Sequence, residues 1–337
     1  MNVVKNGRDW KHLFDSVSPF QEEKAVWASK IFKCVKDDTV FCVKTGSAID
    51  VWNEVNLIEK IPDHRNIIKM NYFVSDTICL VMRWCQHGDM VSFVQERGPL
   101  MDENGMMTHA HLFSDISSGL AFLHSCEYVH GDLKMENIGV DVCDGREVAK
   151  LIDLGKTCKI DTECKKEMTL TYMSPEMVLF LKGEKDTYDR MDSESFLLGL
   201  VFYSMITNLM VLDPNEDGGM SKHYEIRINA AKRYLIQRMR DPFLGVMFAL
   251  LNTDPERHAK QEGVHKRPTP FEVNQLLEQR IKKDIIEPSK KENKSTKKIG
   301  CKKVSDGRKG ILKCRNRSTT HTKTETCSDK HLSCTMV

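Results

Sequence analysis

The chain has 337 residues, of which 40% are hydrophobic, so it is long enough to bury a large core in one two-lobed domain and to carry an appendage. Its formal net charge is only +2, but residues 282–337 hold 16 Lys and Arg against 6 Asp and Glu, so a mildly acidic body carries a basic tail. No run of about eighteen uncharged apolar residues occurs in the sequence, which excludes a helix that spans a membrane.

The amino terminus and the cysteines indicate an intracellular protein. The start MNVVKNGRDWKHLF has charges where a signal peptide needs its apolar stretch. Of the twelve cysteines, the eight before residue 281 are scattered singly, without the paired spacing of a metal site. We therefore expect reduced thiols and a soluble protein of the cytoplasm or the nucleus.

The first elements in chain order read as short strands followed by a helix. The first 13 residues show no clear period and are expected to be a loose lead-in. The stretches KAVWASKIFKCV and TVFCVK are typical of strands, and the second of them ends at Lys44. The stretch AIDVWNEVNLIEKI has a helical period, with Val51, Val55 and Ile58 on one face and Glu54 within the helix.

The middle of the chain predicts one more strand and then a helical region. TICLVMRWCQHGDM reads as a buried strand that runs into a polar bend containing a glycine. HAHLFSDISSGLAFLHS follows with Leu112, Ile116, Leu120 and Leu123 at helical spacing, as core residues of a helix. Further on, SESFLLGLVFYSMIT is apolar nearly all round, which predicts a helix buried at the centre of its lobe.

Between these two helices, the stretch YVHGDLKMEN places four polar side chains at fixed offsets, and the run KLIDLG follows it. Together, the two stretches supply the chemical groups of phosphoryl transfer. The first has a proton acceptor (Asp132), a phosphate clamp (Lys134) and an oxygen ligand for Mg²⁺ (Asn137), and the second has another oxygen ligand (Asp153). Phosphoryl transfer depends mainly on positioning and charge neutralisation, and these groups provide both.

This series of residues resembles the catalytic and metal-binding loops of eukaryotic-type protein kinases. The resemblance covers residues 14–281 and implies an α+β fold of two lobes. The small, mostly β N-lobe with helix C would span about 14–84, the hinge about 83–89, and the mostly α C-lobe about 90–281. The basic tail, 282–337, is too polar to repay the entropy of ordering and is expected to be disordered.

The resemblance also implies roles for two residues of the N-lobe. Lys44 would bind the α- and β-phosphates of ATP, and Glu54 of helix C would hold Lys44 through an ion pair. The ten-residue gap between them is shorter than expected for the family, which predicts a helix that starts late or is trimmed. Glu59, on the solvated face, is the alternative partner for Lys44.

The adenosine site is implied by position alone. Met82 would be the gatekeeper beside adenine, the Arg83 carbonyl and the Cys85 amide would hydrogen-bond the base, and Asp89 would reach the ribose. Val26 and Cys42 would form the roof of the site. An ordinary strand and turn remain the alternative interpretation of this stretch.

Three departures from the family pattern concern the nucleotide and its surroundings. The positions of the glycine-rich loop hold Pro19, Gln21 and Lys24, which predicts looser contact with the phosphates. Gly131 replaces the Arg of the His-Arg-Asp motif, so a phosphate on the activation loop would lack its usual partner. Gly139 replaces a large apolar residue beneath adenine, which predicts a thinner floor and a roomier or weaker pocket.

The end of the activation segment, TLTYMSPEMV, also matches the family with changes. Thr169 stands where serine/threonine kinases keep a threonine that contacts the catalytic Asp and Lys, and Ser174 replaces an Ala. Glu194 occupies the position of an Asp of helix F that, in the family, holds the catalytic loop in place. Arg267 would form an ion pair with Glu176 and tie the segment to the lobe.

The resulting hypothesis is a serine/threonine protein kinase that uses ATP and Mg²⁺ and is similar to the kinases of large DNA viruses, acting then in the host cell. Glu136 would favour protein substrates in a basic context, and the tail would contact nucleic acid or an import receptor, or would simply be solvated. The alternatives are a pseudokinase that acts as a binding scaffold and a small-molecule phosphotransferase. Residues 169–176, which shape a peptide-docking ledge in protein kinases, disfavour the last.

Overall fold

The computed structural model describes seven stretches of the chain: residues 3–4, 9–20, 30–46, 48–162, 172–211, 224–253 and 267–286. All of them lie in one compact unit, Met1–Pro288. Several sequence predictions fall outside the described residues, namely those for the tail after residue 286 and for Gln21, Lys24, Val26 and Thr169.

The amino-terminal lobe is built on a sheet. Its strands are β1 (Val3–Val4), β2 (Ser16–Pro19), β3 (Lys30–Lys36), β4 (Thr39–Thr45), β5 (Met70–Val74) and β6 (Cys79–Arg83). The order across the sheet is β1-β5-β6-β4-β3-β2, with β2 to β6 paired antiparallel and β1 parallel to β5. The strand that ends in the predicted phosphate-binding lysine is therefore the interior strand β4, between β3 and β6.

The first residues of the chain cover the outer face of this sheet. Residues Trp10–Leu13 form a 3₁₀ turn, and the Trp10 side chain is only 7% exposed. Its ring centroid lies 5.1 Å from that of Phe32, and Phe14 lies 5.9 Å from Phe41. The prediction of a loose lead-in is wrong here, because buried aromatic area offsets the entropy of ordering the segment.

Replacing Trp10 by Ala is expected to lower the free energy of unfolding by about 3–5 kcal/mol, since it leaves a large cavity between the amino-terminal segment and the sheet. Phe271→Ala is the matched control, because that ring is 58% exposed and a surface change of this kind costs within about 0.5 kcal/mol. Urea unfolding of both variants measures the difference. Equal, small losses would mean that the segment does not stabilise the lobe.

Helices dominate the rest of the chain. They are α1 (Ala48–Lys60), α2 (Met90–Arg97), α3 (Ala110–Ser125), α4 (Pro175–Leu181), α5 (Arg190–Thr207), α6 (Tyr224–Arg238), α7 (Leu244–Leu250) and α8 (Pro270–Ile286). Short strands lie among them: β7 (Tyr128–Val129), β8 (Ile138–Cys143), β9 (Arg146–Leu151) and β10 (Cys158–Lys159). The antiparallel pair of β8 and β9 and the small pair of β10 and β7 frame the predicted catalytic stretch.

The predicted two-lobed α+β architecture is confirmed, and so are its two core helices. Every residue of α5 from Asp192 to Thr207 is buried, as its apolar pattern predicted. The four α3 residues at helical spacing are buried in the core of the same lobe. The tail boundary is corrected, because α8 continues to Ile286, past the predicted start of the disordered segment at residue 282.

The connection into α1 explains the short gap between Lys44 and Glu54. The helix begins at Ala48, almost directly after β4 ends at Thr45, and it runs for 13 residues. The prediction of a late or trimmed helix is therefore wrong, because the connecting loop is short rather than the helix.

The cysteines mostly follow expectation. Six of those in the described stretches are free thiols: Cys34, Cys42, Cys79, Cys85, Cys126 and Cys143. Cys158 is disulfide-bonded, so the expectation of reduced thiols throughout is wrong at that residue. In the part of the chain that the structure describes, no helix has the length and apolar character needed to cross a bilayer.

Candidate active site

Three charged side chains meet between the sheet and the helical lobe. The Lys44 Nζ lies 2.7 Å from Glu54 Oε2 and 2.5 Å from Asp153 Oδ1. Strand β4 supplies the lysine, the buried face of α1 supplies the glutamate, and the turn after β9 supplies the aspartate. The ion pair implied for Lys44 and Glu54 is thus present, whereas the alternative partner, Glu59, lies on the exposed face of α1.

Burial and the neighbouring charges shift the pKa of all three groups, and burial raises that of Glu54 despite the opposing charge of Lys44. Burial alone would lower the pKa of Lys44, but the two carboxylates outweigh it and raise that pKa. Burial would raise the pKa of Asp153, yet the charge and hydrogen bond of Lys44 hold it below its usual value. Glu54 is buried and also accepts a hydrogen bond from the Leu154 amide at 3.1 Å, so α1 is coupled directly to the turn that carries Asp153.

The predicted catalytic stretch forms a tight loop around Asp132. The Asn137 Nδ2 donates to the Asp132 carbonyl at 2.8 Å and to its Oδ2 at 3.1 Å. The Lys134 Nζ lies 3.1 Å from the same carboxylate oxygen. His130 is fully buried beneath this loop, and its Nδ1 accepts a hydrogen bond from the Asp132 amide at 3.3 Å. The loop therefore brings Asp132, Lys134 and Asn137 together.

Glu194 of α5 holds this loop from below. Its Oε1 accepts a hydrogen bond from the Gly131 amide at 2.7 Å, and its Oε2 lies 2.8 Å from His124 Nε2. Burial would raise the pKa of Glu194, but the hydrogen bond and charge of His124 lower it below its usual value. The longer side chain thus still reaches the catalytic loop where the family has an Asp.

The two lobes are joined by the stretch after β6. Met82 is buried and lies opposite Cys42 in the pairing of β4 with β6. The Trp84 amide donates to the Val40 carbonyl of β4 at 3.1 Å. Because the C=O and N–H of a trans peptide point in opposite directions, the Arg83 carbonyl points away from β4, while the role of the Cys85 amide stays a prediction.

Asp89 has a structural task in this stretch. Its Oδ1 accepts a hydrogen bond from the Ser92 amide at 2.7 Å and so caps the first turn of α2. The cap holds the carboxylate at the start of the helix, directly after the segment that joins the lobes. Contact of this residue with a ribose stays a prediction.

Gly139 faces the side chain of Cys85 from the helical lobe. A Cβ atom at residue 139 would lie 2.5 Å from Cys85 Sγ and 3.2 Å from Ile152 Cγ2. These two neighbours occupy the space that a larger residue would take, whereas the thinner floor and the roomier or weaker pocket stay predictions. Burial raises the pKa of the Cys85 thiol to about 12, which keeps it in the neutral, apolar form that such packing requires.

A double-mutant cycle tests this packing. Gly139→Ala alone is expected to lower the free energy of unfolding by about 1–3 kcal/mol, because the new methyl group overlaps Cys85 Sγ. The same change in a Cys85→Gly background should cost less, since the space is then vacant. Chemical denaturation of the four proteins gives the coupling, and additive losses would contradict the packing.

The oxygen donors suit a hard divalent cation that arrives with a phosphorylated ligand. Asp153 is paired with Lys44, yet its side chain is 46% exposed, and Asn137 lies in the adjoining loop. Within the described stretches, no group of three or more His, Cys, Asp or Glu side chains could hold a metal ion by itself. Mg²⁺ is usually held by one or two protein oxygens together with substrate phosphates, and Asn137 and Asp153 can supply two such oxygens.

Arg267 ties the activation segment to α5. Its two terminal nitrogens contact Glu176 Oε1 and Oε2 at 2.5 and 3.0 Å, so the implied ion pair is present and bidentate. The guanidinium also contacts Asp192 Oδ2 at 2.8 Å and lies 4.8 Å over the Phe196 ring. Ser174, which replaces an Ala, caps α4 and hydrogen-bonds Ser193.

Sequence reasoning missed several residues that complete the site. Asp192 is the second acid on Arg267, and His124 is the partner of Glu194. Lys156 lies 3.5 Å from Asp132 Oδ2, beside Lys134. The position of Lys156 immediately after Asp153-Leu154-Gly155 was the one signal that could have drawn attention to it.

Comparison with known proteins gives one family. A family model described as the protein kinase domain matches residues 19–275, which is more than half of the chain.

Individual relatives match this chain over a shorter stretch or at a lower sequence identity. The inhibitor of nuclear factor kappa-B kinase subunit alpha of Xenopus laevis is 30% identical over 168 residues, which cover 46% of this chain and 21% of that protein. The protein of the same name from Gallus gallus is 32% identical over 141 residues, or 38% of this chain and 18% of that protein. The serine/threonine-protein kinase GIN4 of Saccharomyces cerevisiae is 23% identical over 219 residues, or 63% and 18% respectively. The chain thus spans about a fifth of the length of these relatives.

Proposed function

Since the chain belongs to the protein kinase domain family, we propose that it is a serine/threonine protein kinase that transfers the γ-phosphate of ATP to protein hydroxyl groups. One observation carries the proposal. The Lys44 Nζ bridges Glu54 and Asp153, residues that lie 10 and 109 positions away along the chain. Such a bridge couples helix C to the metal-directed aspartate, and phosphoryl transfer requires that coupling.

The loop around Asp132 is assigned the orientation and deprotonation of the hydroxyl group that accepts the phosphate. Its carboxylate orients the Ser or Thr hydroxyl and takes its proton while the hydroxyl oxygen forms a bond to the γ-phosphorus. The bond from that phosphorus to the bridging oxygen breaks, and ADP leaves. The Lys134 ammonium, 3.1 Å from Asp132 Oδ2, neutralises charge on the transferred group.

The nucleotide is assigned to the space between the lobes. Lys44 holds the α- and β-phosphates, Asn137 and Asp153 are the Mg²⁺ ligands, and the Arg83 carbonyl and Cys85 amide hydrogen-bond adenine beside Met82. When bound, Mg²⁺ neutralises phosphate charge and polarises the phosphorus–oxygen bond. Cys42 and Val26 form the roof over the base, and Asp89 reaches the ribose.

The proposed substrate class and cellular location are both based on the charge of particular residues. Glu136 is exposed beside the catalytic loop, which supports protein substrates with basic residues near the acceptor. The basic tail is proposed to be disordered and to contact nucleic acid or an import receptor, which would place the protein in the cytoplasm or nucleus. The likeness to kinases of large DNA viruses stays a prediction.

The second candidate function is a pseudokinase scaffold. It is favoured by Pro19, the last residue of β2, at a position where the family has a glycine of its phosphate-binding loop. Pro fixes the backbone where glycine would let it close over phosphates. A scaffold of this kind would bind a partner without transferring phosphate.

Transfer of labelled phosphate from ATP tests the proposal. With Mg²⁺ and a peptide in which one Ser or Thr is flanked by Lys and Arg, the full chain should label the hydroxyl residue. Asp132→Asn should label it at least about 10²-fold more slowly, because the proton acceptor is lost. Equal labelling by the variant would point to a contaminating kinase or a wrong assignment.

A binding measurement separates the two candidates. Stabilisation of the protein against heat by MgATP, absent in Asp153→Ala, together with phosphate transfer supports the enzyme. Stabilisation without any transfer supports the scaffold. If neither MgATP nor MgADP shifts the melting temperature, nucleotide binding itself is contradicted.

A further inference from the structure

Two lysines, rather than one, converge on the catalytic carboxylate. The Lys134 Nζ lies 3.1 Å from Asp132 Oδ2, and the Lys156 Nζ lies 3.5 Å from the same oxygen. Lys134 comes from the catalytic stretch, whereas Lys156 comes from the turn after β9 that also carries Asp153. The Lys156 side chain is 31% exposed, so it lies at the edge of the site with its end directed inward.

The chain holds Lys156 in this place from both sides. It is the last residue of the 3₁₀ turn Leu154–Lys156, whose first amide donates to Glu54. The next residue, Thr157, donates its hydroxyl to the His130 carbonyl at 3.0 Å. Strand β10 then pairs with β7, so the backbone of Lys156 is anchored to the catalytic loop before the activation segment continues.

The glycine of the catalytic loop makes room for this arrangement. Gly131 has a φ of +79°, and a Cβ atom there would lie 2.4 Å from the Lys156 carbonyl oxygen and 3.1 Å from its carbonyl carbon. A side chain at residue 131 would therefore displace the backbone of Lys156. The glycine at residue 131 therefore lets the backbone of Lys156 approach the catalytic loop this closely.

From this geometry we propose that Lys156 is a second cationic catalytic residue, which contacts the phosphoryl group as it moves from ATP to the acceptor hydroxyl. The proposal rests on the proposed kinase function and assigns one more residue to it. The hydroxyl proton passes to Asp132 and the electrons of the broken phosphorus–oxygen bond leave with ADP, so no proton is transferred to or from Lys156 in this step. Two cations at one carboxylate also allow one of them to move to the phosphate without leaving Asp132 unpaired.

The contact of Lys156 with Asp132 also concerns how phosphorylation of the activation segment would regulate activity. In the family, the arginine of the His-Arg-Asp motif, which Gly131 replaces here, binds a phosphate on the activation segment and so orders it. Here Lys156 provides positive charge from within the segment, and its position depends on the contacts of Glu54 and His130 rather than on a phosphate. Activity is therefore not expected to depend on phosphorylation of the segment through a contact at residue 131.

Three charge variants of the full chain test the assignment. Lys156→Gln removes the cation, Lys156→Arg keeps it, and Lys159→Gln is the matched control because Lys159 is exposed and lies in the same segment. An enclosed donor to a transition state contributes roughly 10²–10³-fold in rate, and a partly exposed one less, so Lys156→Gln should lower kcat by about 10- to 100-fold. Because the same contact holds the γ-phosphate of bound ATP, the KM for ATP should rise as well, and Lys156→Arg should restore most of the rate.

Binding of ATP and ADP gives an independent readout. The wild type should prefer MgATP to MgADP, whereas Lys156→Gln should lose most of this preference and Lys159→Gln should keep it. The proposal is overturned if Lys156→Gln and Lys159→Gln have the same kcat and the same preference. It is also overturned if Lys156→Arg is as slow as Lys156→Gln, because the role would then be steric.

Failure of the kinase assignment gives a different pattern. If the wild type binds nucleotides with a preference for ATP that depends on Lys156 but transfers no phosphate, the kinase function fails and the contact of Lys156 with the γ-phosphate stands. If the wild type binds no nucleotide, both proposals are overturned.

Discussion

Lys44→Met is expected to reduce both the stability of the fold and the rate of phosphate transfer. It removes the cation that lies 2.7 Å from Glu54 and 2.5 Å from Asp153. Glu54 is fully buried and loses the cation that compensates its burial, so the free energy of unfolding should fall by about 3–5 kcal/mol. Phosphate transfer should slow by roughly 10²–10³-fold, because the nucleotide loses a preorganised positive group.

A second change separates the two effects. In the double variant Lys44→Met/Glu54→Gln a neutral amide replaces the buried carboxylate. Most of the lost stability should therefore return, while phosphate transfer stays slow. Urea unfolding and the labelled-phosphate assay measure the two quantities on the same preparations. A single variant as stable as the wild type would contradict the buried ion pair, and a double variant with restored transfer would contradict the role of Lys44.

Arg267→Ala is expected to cause a comparable loss of stability without touching the nucleotide site. The guanidinium is buried between Glu176 and Asp192 and also donates to the Asn252 carbonyl at 2.7 and 2.9 Å. Its removal leaves two buried carboxylates near each other, which should lower the free energy of unfolding by about 3–5 kcal/mol. Denaturation in urea measures this loss.

Two controls show whether the fork geometry matters. Arg267→Lys keeps the charge but cannot bind Glu176 in a bidentate way, so an intermediate loss is expected. Lys182→Ala removes a cation from an exposed pair with Glu184, where the expected loss is below about 1 kcal/mol. A loss for Arg267→Ala no larger than that of Lys182→Ala would show that the link between the segment and α5 is not a stabilising one.

Much of the candidate site could be predicted from short stretches of the sequence, because each motif has a characteristic spacing of residues. Asp132, Lys134 and Asn137 lie within six residues of each other, so their convergence needs little beyond the loop itself. Glu54 was implied by the family resemblance, and in the structure it lies beside Val51 and Val55 on the buried side of α1.

The errors came from contacts between distant parts of the chain. Trp10 has no periodic neighbours, and only the aromatic residues of β3 and β4 reveal its place. The space beside Gly139 depends on the direction of the Cys85 side chain, which no spacing encodes. Asp192 shares Arg267 with Glu176 because α4 and α5 pack together.

The residue pattern alone established the family resemblance, the two core helices and the set of charged groups that phosphoryl transfer needs. It could do so because period, spacing and residue type are properties of short stretches. The tertiary structure decided the rest: the meeting of Lys44 with Asp153, 109 positions apart, the close approach of the Lys156 backbone to Gly131, and the contact of Lys156 with Asp132. Such contacts depend on how two distant segments approach in space, and that approach is set by packing of the whole core.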